Sequence, residues 1–159
     1  NDIGDFKTFL KLSPPLRTEE DRLSLVEGIR EGLIDVIVSD HIPEDEESKR
    51  LPFAQAASGA IGIETLLPLA LEMYHNQTLP IKKIIETLTI NPSNILKINK
   101  GTLEKGSDAD ICIFDLDVPW VVKAEKLKSK SKNTAIENRK LQGKILMTFL
   151  NGELVFNQQ

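Results

Sequence analysis

A chain of 159 residues with 40% apolar and 28% charged side chains is long enough for one domain or one compact half of something larger, and too apolar for disorder on a large scale. Its 20 basic against 24 acidic side chains leave a net charge of −4, which gives no reason to expect a nucleic acid partner. With a single cysteine an intrachain disulfide is excluded and a reducing, cytoplasmic setting is expected, while the absence of any membrane-length apolar run or signal-like opening argues against membrane or export.

The chain opens on Asn1 and soon enters Leu12-Ser13-Pro14-Pro15-Leu16-Arg17, which reads as the interior of a longer protein. The two prolines predict an extended connector. Thr18 followed by Glu19, Glu20 and Asp21 is a capping hydroxyl with acids in the first turn, and Leu23, Val26 and Ile29 give a helical apolar face ending near Gly32. Leu33 to Val38, short and rich in β-branched side chains, predicts a buried strand. Helix passing straight into strand predicts an α/β fold with a parallel sheet. Asp40 and His41 fall at the C-terminal end of that strand, where α/β folds carry their chemistry, so Asp40 reads as a proton-transfer residue or a metal ligand. The alternative is an ordinary strand-to-loop junction, for which Asp, Ser and Pro are common residues.

Glu44 to Arg50 reads as a solvated charged loop, except that Glu44 is close enough to Asp40 to face the same site. In Gly59-Ala60-Ile61-Gly62-Ile63-Glu64-Thr65 the glycines would let backbone approach a ligand closely, with Thr65 capping the next helix. Leu67, Leu71 and Tyr74 mark its face, and His75 suits its C-terminal end. Pro80 near N1 starts a helix with Ile81, Ile84, Ile85 and Leu88 facing a core, and Asn91 caps a short helix from Pro92. From Gly101 the pattern changes. A turn-rich run to Asp110 precedes a compact strand, Ile111 to Phe114, in which Cys112 is expected to be buried, and Asp115 to Val122 adds another extended piece. Lys123 to Asn138 predicts a long loop with solvent-facing Lys128, Lys130 and Lys132. Asn151-Gly152 between two strand-like runs is a strong hairpin signal. The change of character divides the chain into 1–100 and 101–159.

Three segments in this order resemble the class I dihydroorotases of the amidohydrolase superfamily: Leu12 to Arg22, Ser39-Asp40-His41-Ile42-Pro43, and Pro52-Phe53 running into Gly59 to Thr65. Lys128 to Thr134 also resembles this group, especially its alphaproteobacterial branch. The resemblance implies the C-terminal portion of a (β/α)₈ barrel in 1–100, followed in 101–159 by strands of a small β-sandwich domain built from both chain termini. It implies a metal-dependent cyclic amidohydrolase interconverting N-carbamoyl-L-aspartate and dihydroorotate in pyrimidine biosynthesis, with one or two Zn²⁺ ions. Asp40 would then bind metal and shuttle the proton, while Ser13, Glu44, Ser58 and Gly59 would face substrate. The other metal ligands would lie upstream, so the segment alone should be inactive and should pair with the missing N-terminal part of the same enzyme. A homodimer is expected, and aspartate carbamoyltransferase is a possible further partner.

The departures from the family are local. Where members often read Asp-His-Ala-Pro-His, position 44 is Glu, which would repel an anionic substrate unless it bonds the carbamoyl nitrogen or points away. Ser13 stands where many members carry Asn, and Ala57-Ser58 replaces a Pro-aromatic or Pro-Phe pair. These changes keep open a non-catalytic homologue acting as a scaffold for aspartate carbamoyltransferase. An allantoinase or hydantoinase is disfavoured by Pro14-Pro15-Leu16-Arg17.

Overall fold

A computed structural model describes residues 6–158 of the chain. Its helices are α1 (Glu19–Glu31), α2 (Glu46–Arg50), α3 (Leu66–His75), α4 (Ile81–Leu88) and α5 (Ile90–Leu96), followed by strands β1 (Ile111–Val121), β2 (Lys140–Leu150) and β3 (Glu153–Asn157). Single 3-10 turns occur at Thr8–Leu10, Ile63–Thr65 and Ala124–Lys126. Among the described residues no helix is long and apolar enough to cross a membrane.

The start of α1 follows from a reciprocal cap. The Thr18 hydroxyl accepts from the Asp21 amide at 3.2 Å, and the Asp21 carboxylate accepts from the Thr18 amide at 3.0 Å and its hydroxyl at 2.8 Å. Gly32, at φ 79°, then ends the helix in the left-handed conformation that glycine adopts without strain. The next segment departs from expectation. Residues 34–39 form neither helix nor ladder, and Leu33 and Val38 are 76% and 70% exposed. Strand composition is present, but a ladder also needs a neighbouring strand, and none within the described residues pairs with this one. What pairing exists is an isolated parallel bridge from His41 to Ala60.

The charged run also differs from the expected solvated loop. Asp45 accepts from the Ser48 amide at 2.7 Å and caps α2, whose Lys49 is fully buried. Further on, Thr65 caps nothing: it lies in the 3-10 turn leading into α3, and its hydroxyl donates to Gly62 O at 3.2 Å. Pro80 is the N-cap of α4 rather than its first residue. Thr89 precedes α5, and Asn91 instead donates to Asp35 O at 2.9 Å.

The described residues form two compact units, each assembled from separated stretches. One comprises 24–38, 67–120 and the chain from 141. Its core packs Val26 and Ile29 of α1 with Ala70, Leu79 and Ile84, and with the partly buried Ile34, Ile37, Met73 and Leu88. Gly28 admits Ile34 to α1, since a Cβ there would lie 3.1 Å from Ile34 Cδ1. Ile84 is wholly buried, a contribution of about 1.5–3 kcal/mol at the usual scale for a large aliphatic side chain. The same unit holds most of the sheet, ordered β1-β2-β3. β1 is one continuous strand, not two pieces, and its edge position tolerates Pro119. Asn151 and Gly152, at φ 50° and 82°, make the expected tight turn, flanked by the antiparallel pair Leu150 and Glu153. Cys112 is exposed rather than buried; partial burial of its thiol against the sheet still pushes its pKa up, with the Thr148 hydroxyl opposing. The other unit comprises residues up to 23, 39–66 and 121–140.

Candidate functional site

All five residues expected at a site, Ser13, Asp40, Glu44, Ser58 and Gly59, belong to this second unit. Backbone bonds tie their segments together. Ile42 N–H donates to Ala60 O at 2.9 Å, Gly59 N–H donates to Lys11 O at 3.0 Å, and Gly62 N–H donates to His41 Nδ1 at 3.1 Å. His41 therefore presents an unprotonated Nδ1 to the backbone and fixes the turn beside Asp40.

Asp40 is exposed, sits at φ 42°, and its carboxylate has no hydrogen-bond or ion-pair partner among the described residues. A left-handed φ is uncommon outside glycine, though Asp tolerates it better than most, and it turns the chain sharply where the apolar segment ends. Such a carboxylate fits one position in a metal's coordination sphere, being a hard oxygen donor uncommitted inside its own fold. No group of three or more His, Cys, Asp or Glu side chains that could hold a metal occurs among the described residues, so Asp40 would be one ligand of a set completed from elsewhere.

The two glycines of the loop serve chain packing. A Cβ at Gly59, whose φ is 128°, would lie 2.6 Å from Ile42 Cγ2, and one at Gly62 would lie 2.6 Å from Ser39 O. Each glycine thus allows the loop to close on the Ser39–Ile42 segment that carries Asp40. Ser13 is exposed, following Lys11 by two residues, and its peptide bond to Pro14 is cis. Ser58 is half-buried, and among the described residues the side chains of Ser13, Asp40, Glu44 and Ser58 make no bond to one another. A cavity of about 10 Å³, lined by His41, Gly62, Glu64 and Ser129 among others, has room for roughly one water and none for a substrate.

Three functional-looking residues escaped sequence reasoning. Lys49, inside an acidic run, is 0% exposed and its ammonium donates to Ala57 O (3.0 Å), Gly59 O (3.0 Å) and Lys11 O (3.3 Å). Lys11, at the other end of the same loop, donates to Phe53 O (2.8 Å), Ala54 O (3.1 Å) and Ala56 O (2.7 Å). Asn133, 2% exposed, donates to Ile42 O (3.0 Å) and Gly59 O (3.3 Å), while its backbone carbonyl accepts from Ile61 at 3.2 Å. Burial pushes the Lys49 pKa down, with the Lys11 charge adding to that and the Glu44 carboxylate opposing it. Glu44 is half-buried and forms no ion pair with Lys49 among the described residues. No periodicity marks these residues. The D-x-x-S cap starting at Asp45 was the one local sign that the charged run folds into a helix. Glu64 holds the distal loop, accepting from the amides of Lys128 (2.6 Å) and Ser129 (3.1 Å), which leaves Lys128 and Lys130 exposed as expected.

Residues 12–155 match the amidohydrolase family, and the chain belongs to it. Within that family it is similar to the dihydroorotase of Ehrlichia chaffeensis, 46% identical over 99% of this chain and 35% of that protein. The dihydroorotase of Acetivibrio thermocellus is 44% identical over 98% of this chain and 37% of its own length. Among solved structures, an L-hydantoinase (dihydropyrimidinase) from Arthrobacter aurescens superposes with a TM-score of 0.88 at 32% identity, covering 99% of this chain and 36% of that one. A dihydropyrimidinase from Brevibacillus agri, at 22% identity and the same TM-score of 0.88, shares the fold. The chain spans about a third of the length of the curated relatives it matches.

Proposed function

We propose that these residues are the C-terminal part of a dihydroorotase, a cytoplasmic enzyme of pyrimidine biosynthesis that interconverts N-carbamoyl-L-aspartate and (S)-dihydroorotate. On this reading 1–100 close a (β/α)₈ barrel and 101–159 belong to a composite β-sandwich, with the remaining strands and metal ligands supplied by an N-terminal part. The observation that carries it is the uncommitted Asp40 carboxylate at the end of an apolar segment, braced by the glycine loop. The dihydroorotases that match nearly the whole chain support the choice of reaction, with the hydantoinases as structural relatives. The uncommitted Asp40 carboxylate, together with relatives that are dihydroorotases, favours an enzyme over a scaffold of aspartate carbamoyltransferase.

One or two zinc ions, with Asp40 as one ligand, would supply Lewis-acid activation of water and of the amide carbonyl. Asp40 would accept the proton released by the attacking water at a carboxylate oxygen and pass it to the leaving ring nitrogen. Ser13, Ser58 and Gly59 would orient the substrate, Glu44 contributing little to holding it. The assembly would be a homodimer of full-length subunits.

The test is the Asp40→Asn variant of the full-length enzyme, which keeps the side chain's size and removes the proton acceptor. Dihydroorotate hydrolysis should fall at least about 100-fold, with metal content followed in parallel. Unchanged turnover would end the assignment of Asp40, and a parent with bound metal but no activity in either direction would move the protein to the scaffold reading.

A further inference from the structure

The loop 53–59 holds its carbonyls in an unusual way. Surface turns present such groups to water, whereas here those of Phe53, Ala54 and Ala56 meet the Lys11 ammonium and those of Ala57 and Gly59 meet that of Lys49. The Lys49 group is the more constrained. It is 0% exposed, and no carboxylate forms an ion pair with it among the described residues. Its three acceptors match the three donors of an ammonium, whereas a neutral amine would have one N–H too few. A methionine or leucine could fill the same space but would leave these carbonyls unpaired, two of them in the loop that flanks Ser58. Gly59 O also accepts from Asn133, so the peptide after Gly59 is held from both α2 and the distal loop.

We infer that Lys49 is a positioning residue, whose buried ammonium sets the backbone of Ser58 and Gly59 in the orientation that meets substrate. It never touches substrate, and it acts through the Ala57 and Gly59 carbonyls as a bound cation would. This rests on the proposed assignment of Ser58 and Gly59 to substrate binding.

The experiment compares parent, Lys49→Met and Lys49→Ala full-length enzymes by kinetics and by amide hydrogen exchange. For Lys49→Met, KM for dihydroorotate should rise about tenfold or more while kcat changes less than about threefold, the pattern of lost binding rather than lost chemistry. Lys49→Ala should show the same loss, recovered by added propylammonium and not by propanol of equal size. Exchange at residues 57–62 should quicken in both variants while that of the 140–157 hairpin stays at the parent's rate. Lys49→Gln, which keeps two donors, serves where Lys49→Met does not fold and should fall between parent and Lys49→Ala. An unchanged KM, or recovery by propanol equal to that by propylammonium, overturns the inference. A parent without turnover would remove the proposed reaction instead. The exchange comparison then decides the loop assignment, faster exchange confined to 57–62 supporting it and equal exchange overturning it.

Discussion

Gly62 shows how closely the chain carrying Asp40 is packed. Its φ is −144°, open to any residue, yet a Cβ would sit 2.6 Å from Ser39 O, one residue before Asp40. Gly62→Ala should therefore push the Ser39–Asp40 backbone away and destabilise the protein by about 1–3 kcal/mol, the usual cost of forcing added atoms into a packed site. A lowered urea midpoint at unchanged slope is the measurement that checks it. The sequence pointed to this loop for a related reason, close backbone approach, but the partner it approaches is the chain itself. Asp40 drew notice by its place at the end of an apolar run, where α/β folds carry their chemistry, although Asp is common at such junctions. Lys49 and Asn133 did not, because their value lies in acceptors brought from distant segments, and neither side chain nor neighbours record which carbonyls will arrive.

At the scale of elements, local chemistry was read well and non-local pairing was not. The β2–β3 hairpin follows from Asn151 and Gly152 alone, and α1 from its capping threonine and first-turn acids. The segment from Leu33 to Val38 has the composition of a strand, but a ladder depends on a neighbour that composition cannot name. The hairpin turn has a further anchor. Asp110 accepts from the Asn151 amide at 2.8 Å, and Lys100 pairs with Asp108 at 2.7 Å and Asp110 at 2.5 Å. The Lys100 ammonium and the Asn151 amide hold the Asp110 carboxyl below the usual carboxylate range, and the two aspartates raise the Lys100 pKa. A lowered carboxyl pKa stabilises the fold above its unfolded value and loses that contribution as pH falls through the folded value. The raised lysine pKa works in the opposite sense, its contribution being complete below the unfolded value and lost as alkali passes the folded one. The Asn151 amide resonance should thus shift with a single acid titration below the ordinary aspartate range, and Asp110→Asn should abolish that titration.

On the scale of the molecule, neither compact unit is contiguous: the site's unit takes residues up to 23, then 39–66, then 121–140. A boundary at residue 100, read from the change in pattern, describes element type, whereas these units record which stretches pack together. The Asn133 bond to Ile42 O closes a separation of 91 residues. Bonds of that span follow many local ones, since the entropy of closing the intervening loop must be met first. Asn133→Ala in the full-length protein should consequently speed unfolding far more than it slows folding, as read from the two arms of a denaturant series. The clasp also has a timetable. At ordinary rates of synthesis a ribosome needs about 5–18 s to pass from Ile42 to Asn133, and for that interval the nascent segment holding Asp40 has been made without the residue that clasps it. A chaperone that shelters emerging chains would find an unclasped target there throughout that interval.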